Sequence, residues 1–294
     1  MMLALIYAVV ASFCLGISKF LIRKADNVNP LVSVLYTFLL APPILLCFAL
    51  ANGDLSVSYS LDFLTVTYLA LAGVFYLAIG RIFAYSSINL VGAARASQLT
   101  STQIIFSSIL SVIILQEGIS LNIALGTTII SFGLILISFS KPKCEGKEVM
   151  PSSRFRRGVA LGLIAGVLWG ASQLLLKEGS RGLKSSTMAS LISYLFAILV
   201  QGSIVLFFAR TEFKRPKTQT TFLLAAGVVS TIALLAQYSA LRIADVVLVN
   251  PIVNTSPLIT LITCYLLIQK IESINKKVLF GALGVVAGAV LVAI

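Results

Sequence analysis

The 294-residue chain contains no histidine. That excludes His-assisted serine or cysteine hydrolysis, His-Glu-x-x-His zinc sites and histidine haem ligation, the commonest routes to chemistry inside a membrane. Charge is sparse: 11% of residues are Asp, Glu, Lys or Arg, and only 10 of them are acidic. No acid falls deep in an apolar run, since Glu117, Glu178, Asp245 and Glu272 all stand at run ends. Cys14, Cys47, Cys144 and Cys264 are scattered without metal-ligand spacing, and three of them lie in apolar runs, where cysteine behaves as a small hydrophobe. These absences predict neither metal nor cofactor and no enzyme activity. Ser18 and Lys19 are the one conceivable nucleophile and base, and neighbouring residues on a helix point apart.

What remains is apolar. Hydrophobic residues make up 59% of the chain, which places it in a membrane. Ten runs are long enough to cross hydrocarbon as helices: 3–22, 31–51, 63–85, 91–115, 121–140, 158–176, 186–209, 221–241, 246–268 and 278–294. The first is longer than a signal-peptide core and is expected to stay as a span. The net charge of +12 sits in short segments between runs, where membrane orientation explains it and nucleic-acid binding does not. A multi-pass protein of the plasma membrane is expected, with the bilayer and a small solute as its partners.

The chain reads as built twice. Gly158, Gly162, Gly166 and Gly170 put a small residue on one helix face at every turn, and Ala4, Ala8, Ser12 and Gly16 repeat that ladder in the first run. Leu15-Gly16-Ile17-Ser18-Lys19 aligns with Trp169-Gly170-Ala171-Ser172-Gln173, Ala84-Tyr85-Ser86 with Gln237-Tyr238-Ser239, and the segment from Glu117 to Gly126 with that from Glu272 to Gly281. The boundaries that follow are a first five-helix repeat over 1–140, a linker over 141–157 carrying Pro142, Gly146 and Pro151, and a second repeat over 158–294. An odd number of spans per repeat makes the halves inverted. Matched loops carry opposite charge bias, as inversion requires: the segment between runs two and three has no basic residue, while that between runs seven and eight has Arg210, Lys214, Arg215 and Lys217.

Ten helices in two inverted repeats, with Leu15-Gly16 and Trp169-Gly170 in the first helix of each and Gln116-Glu117 and Glu272 ending the fourth, resemble the drug/metabolite transporter superfamily, and within it EamA-type transporters. The resemblance spans nearly the whole chain. It implies a secondary transporter that moves amino acids or other small metabolites through a central cavity by alternating access. Two orientations stay open. Of 22 basic residues only Lys177, Arg181, Lys184 and Arg242 lie opposite the linker, which by the positive-inside rule makes the linker cytoplasmic. The resemblance implies cytoplasmic termini instead.

Polar side chains within the spans are the candidate pathway. Lys19 either snorkels to the headgroups or joins its repeat counterpart Gln173 at the repeat interface. Arg81 and Arg95 either anchor to phosphates or grip an anionic solute. Arg95, Gln98 and Thr102 share a helical face and form the candidate cavity wall. Asn250 and Asn254 lie one turn apart beside Pro251 and Pro257, where the backbone is broken or merely kinked. Trp169 and Tyr238 complete the set, and spans one, three, four, six, eight and nine are expected to enclose the cavity.

Cations without buried acids favour an anionic or zwitterionic solute over a hydrophobic cation. A multidrug exporter of the same superfamily and a passive channel or accessory module are the competing readings. Spans five and ten, rich in small residues, serve as packing helices or as a homodimer face, with Gly284 and Gly288 at close-contact spacing.

Overall fold

A computed structural model describes residues 2–25, 28–54, 62–138, 152–209, 217–267 and 276–294. Among these residues there is no β-strand, as hydrocarbon demands of an open chain whose backbone groups must be satisfied within each segment. The helices are α1 (Met2–Lys24), α2 (Pro30–Ala51), α3 (Phe63–Val91), α4 (Ala93–Thr100 continued by Gln103–Leu115), α5 (Leu121–Ser138), α6 (Ser152–Arg181), α7 (Ser186–Phe208), α8 (Lys217–Ile243), α9 (Val246–Leu267) and α10 (Lys276–Ala293). Eight of these stretches are long and apolar enough to cross a membrane. The described parts of α5 and α10 hold shorter apolar helices, Leu121–Leu136 and Leu283–Val292. Of the linker, 141–157, positions 141–151 lie outside the described residues and the rest belong to the start of α6. Following the chain through the helices puts the α3–α4 turn on the linker face and the α4–α5, α6–α7 and α8–α9 turns on the opposite face, where α1 begins and α10 ends.

Four helices depart from regularity, the first of them α2, which is interrupted at Leu39–Leu40 ahead of Pro42 and Pro43. α3 passes through a π-helical segment at Gly73–Ile79, which takes up one residue more than the uninterrupted α8. Gly73 and Gly227 are 154 positions apart at the start of this segment, and Tyr85 and Tyr238 are 153 apart after it, so the spacing of the two halves shortens by one residue across it. α4 breaks at Ser101–Thr102 and α9 at Asn254–Thr255. Side chains and tight turns take up the freed backbone groups. Thr102 Oγ1 donates to Leu99 O (2.9 Å), Thr255 Oγ1 to Ile252 O (2.8 Å), and Asn254 Nδ2 to Asn250 O (2.8 Å).

The glycines mark where helices touch backbone to backbone. α6 lies along α3 and α4 through its ladder: a Cβ on Gly162 would stand 2.8 Å from Leu99 Cβ, and one on Gly170 3.0 Å from Gln103 O. α5 and α10 pair within the chain, Gly126 against Gly288 O and Gly133 against Gly281 O, each with a would-be Cβ at 2.6 Å. The small-residue faces of these two helices are therefore occupied by each other. Gly202 on α7, by contrast, has nothing within 4 Å of a Cβ. Overpacking at a backbone contact costs about 1–3 kcal/mol. Gly133→Ala and Gly288→Ala are expected to lower the melting temperature of the purified protein, and Gly202→Ala to leave it unchanged or raised. Equal melting curves for Gly288→Ala and Gly202→Ala would remove α5–α10 packing as a determinant of stability.

Candidate solute-binding site

Six helices (α1, α3, α4, α6, α8 and α9) line a cavity of about 40 Å³ near the middle of the bundle, and these are the six expected from the sequence. Lys19, Arg81 and Trp169 line it, together with Tyr76, Tyr85 and Gln103. Ser230 and Ser256 face it from α8 and α9. Ile22, two residues before the end of α1, is its lining residue closest to the linker face.

Lys19 does not run along the surface. Its Nζ donates to Ser256 Oγ at 3.2 Å, across the interface of the two halves of the chain. Arg81 is 6% exposed and is held by weak polar contacts, 3.4 Å to Ser230 Oγ and 3.5 Å to Tyr194 Oη. Its guanidinium also lies 5.2 Å from the Phe38 ring centroid and 5.9 Å from that of Tyr194, a cation–π cradle of modest strength. Neither cavity cation has a carboxylate partner among the described residues. Trp169 spans the cavity wall, donating from Nε1 to Tyr76 O at 2.8 Å with its ring 5.6 Å from that of Tyr76.

On the side away from the linker, the cavity ends in a buried polar layer. Tyr76 Oη donates to Gln237 Oε1 (3.0 Å), whose Nε2 donates to Gln173 Oε1 (3.0 Å). Tyr238 Oη meets Ser193 Oγ at 2.5 Å. The breaks in α4 and α9 are tied together here: Gln103 Nε2 donates to Asn254 Oδ1 (2.5 Å), Asn254 Nδ2 to Asn250 Oδ1 (2.9 Å), and Asn250 Nδ2 to Ser107 Oγ. Because Asn254 takes the Gln103 amide nitrogen, Gln103 Oε1 is left buried and without a partner.

Beyond this layer the far face is closed by charge. Glu117, 7% exposed, follows Gln116 in a left-handed conformation (φ 53°), and its two oxygens accept from Val246 N (3.1 Å) and Val247 N (3.2 Å). A carboxylate there satisfies the first free donors of α9 and faces the positive end of its dipole. Lys177, 1% exposed, donates to Ala244 O and pairs with Asp245 Oδ1 at 3.3 Å, which Arg181 also approaches at 3.7 Å. Ser185 Oγ donates to Asp54 Oδ2 at 2.6 Å, linking the α2–α3 and α6–α7 connections.

Of the residues expected from the sequence, Lys19, Arg81 and Trp169 therefore meet in the cavity, and Gln173, Tyr238, Asn250 and Asn254 form the layer behind it. Arg95, Gln98 and Thr102 are not brought there. Gln98 and Thr102 line a separate lateral pocket, and Arg95 lies 5.6 Å from the Phe155 ring toward the linker face. The expected cavity wall of α4 is instead Gln103. Among the polar lining residues, Tyr76, Ser230 and Ser256 were not singled out by the sequence, and Gln103 stood out only as one of the polar residues opening span four. The internal repeat carries a signal for them: Tyr76 and Ser230 are 154 positions apart and Gln103 and Ser256 are 153 apart, at the spacings of the two halves.

A multi-pass integral membrane protein, without strands among its described residues and with a cavity lined by Lys19, Arg81 and Trp169, has the form of a membrane transporter. The model of the EamA-like transporter family matches residues 2–139 and again 156–294. The chain belongs to the EamA-like transporter family. An uncharacterized transporter of Archaeoglobus fulgidus is 26% identical over 243 residues, covering 81% of this chain and 80% of that protein. A solved protein crystal structure superposes with a TM-score of 0.75 at 14% identity, over 98% of this chain and 95% of its own, which shows a shared fold.

Removing the Glu117 carboxylate would leave two buried N–H groups without acceptors, at about 1–3 kcal/mol. Glu117→Ala is expected to lower the melting temperature by several degrees and Glu117→Gln, which keeps one acceptor, by less. If both variants melt with the parent protein, the carboxylate does not hold the far face closed.

Proposed function

We propose that this protein is a secondary transporter of the plasma membrane that moves a small organic solute bearing an anionic group, by alternating access between two inverted five-helix repeats that supply ten membrane spans. The repeat reading is supported by the family model matching the chain twice, and by helix breaks at Ser101–Thr102 and Asn254–Thr255, 153 positions apart. Discontinuous helices at corresponding places in two halves are where such folds build their solute sites.

The observation that carries the substrate class is the pair of cavity cations, Lys19 and Arg81, with no carboxylate partner among the described residues. A buried cation with only hydroxyls and ring faces around it is undersatisfied, and an anionic group entering the cavity supplies what is missing. Gln103 lines the same cavity and sets an amide beside the two cations. An amino acid or hydroxy acid fits that combination. A hydrophobic cation offers Lys19 and Arg81 only repulsion, and this argues against the multidrug-exporter alternative.

Thermal stabilisation by a panel of amino acids, organic acids, sugar phosphates and cationic drugs tests the reading, because a ligand that binds only the folded state raises its melting temperature. Carboxylates or zwitterions are expected to stabilise. Arg81→Gln should weaken the stabilising solute roughly 10- to 100-fold, the range for losing a charged hydrogen bond, and Lys19→Gln should weaken it as well. Stabilisation by cationic drugs alone would overturn the assignment in favour of an exporter of cations.

A further inference from the structure

We infer that Trp169 is a positioning residue for Arg81: by holding the π-helical turn of α3 in place ahead of Arg81, it aims the guanidinium at the cavity. The inference rests on the reading of Arg81 as a group that binds an anionic solute. α3 has one residue more than α8 between matched positions, twelve steps from Gly73 to Tyr85 against eleven from Gly227 to Tyr238. A π turn, which closes over five residues instead of four, is how a helix takes up such an extra residue. Here Gly80 N donates to Phe75 O, five residues back.

Neighbouring helices fix both flanks of the turn. At its start the bare backbone of Gly73 lies against Ser193 O of α7. Beyond it, Ser87 and Val91 pack on the α6 glycines, where a Cβ on Gly162 would stand 2.9 Å from Ser87 Oγ and one on Gly158 2.6 Å from Val91 Cγ1. With the ends held, the extra residue has to be taken up between them, and where it is taken up decides which way the residues in between point. Each α-helical residue turns the chain by about 100°. With the wide turn before Arg81 the guanidinium faces the cavity; with the wide turn moved beyond it, Arg81 would be rotated out of that direction by about the same angle.

Trp169 fixes the place. Its Nε1 donates to Tyr76 O within the turn at 2.8 Å, and its indole lies so close to Gly80, the residue before Arg81, that a Cβ there would strike Nε1. A donor from another helix to one carbonyl of an irregular turn stabilises the irregularity at that carbonyl over other places along the helix. The same tyrosine is held at its far end, where Oη donates to Gln237 Oε1 on α8 (3.0 Å) and Gln237 Nε2 to Gln173 Oε1 (3.0 Å), one turn of α6 after Trp169. The contacts of Arg81 itself, 3.4 Å to Ser230 Oγ and 3.5 Å to Tyr194 Oη, are too long to aim it. Its direction comes from the backbone, which Trp169 holds.

Ligand affinity from melting shifts and amide hydrogen exchange, both on the full chain in detergent, test the inference. Of acetate, L-alanine, L-aspartate and succinate, the one that most stabilises the parent protein serves as the probe. Trp169→Phe, which keeps a ring but loses the N–H, should bind it roughly tenfold more weakly and exchange faster over residues 73–81. Gly80→Ala, which displaces the indole from the α3 side, should do the same. Arg81→Gln combined with Trp169→Phe should bind within about twofold of Arg81→Gln alone, because a residue that acts through Arg81 then has nothing left to position. Arg81→Gln by itself should leave exchange over the turn as in the parent. Unweakened binding in Trp169→Phe would overturn the inference. So would losses that multiply in the double variant, as they do if the indole touches the solute or only supports the fold. If none of the four probes stabilises the parent, the substrate reading fails, and exchange decides the positioning role: unchanged protection of the turn in Trp169→Phe overturns it, and faster exchange confined to the turn supports it.

Discussion

Inside a bilayer a polar group has no water to turn to, and the architecture follows from where each one finds a partner within the protein. Backbone groups find theirs inside helices. Where α4 and α9 break, threonine and asparagine side chains take over, and Gln103 and Asn254 join one break to the other. Charges at the far face find helix ends and each other: Glu117 the α9 N-terminus, Lys177 the α8–α9 turn. Seven buried side-chain atoms among the described residues still lack a partner, Gln173 Nε2 and Gln103 Oε1 among them. The central cavity adds Lys19 and Arg81, which have no carboxylate partner among the described residues. On the proposed reading, that uncompensated charge is what a solute completes.

Much of this was readable from residues alone, because hydrocarbon leaves few choices. Twenty apolar residues in a row have one low-energy state, so each expected run falls on a helix, though α6 extends six residues before its run and five beyond it. Lys19, Arg81 and Trp169 could be named because a cation or an indole within a span is expensive or unusual wherever it points. The direction in which a helix face points is another matter. Gln98 and Thr102 do share a face, as their four-residue spacing says, and they line one pocket together. That face is turned toward α5 and α6. The adjacent residue, Gln103, begins the second segment of α4 beyond the Ser101–Thr102 break and faces the cavity. Helical periodicity fixes which residues are neighbours on one helix. Rotation about its axis is decided by what packs beside it, here the glycine ladder of α6 against Leu99 and Gln103. Lys19 carried the opposite ambiguity. Its position near the end of α1 permits snorkelling, and only the placement of Ser256 across the interface shows that its ammonium turns inward.

What surrounds the cavity bears on how transport would work. Toward the far face lie a layer of amides and hydroxyls and then the Glu117 and Lys177 contacts. Toward the linker face the lining runs out at Ile22. On the proposed reading, the cavity is closed on the far side, and moving the solute requires the linker side to close before the far side releases. Closing over an empty cavity would strip water from Lys19 and Arg81 and leave two like charges without a counterion, at a cost of several kcal/mol per ion. Closing over an anionic solute pairs those charges as the water leaves, and the same desolvation then strengthens the attraction. Uncompensated cations in the cavity would thus make occlusion depend on bound solute, which is the condition for coupled movement rather than leak. The argument needs no special gate. It needs only that the charge balance of the closed cavity be completed by the molecule being carried.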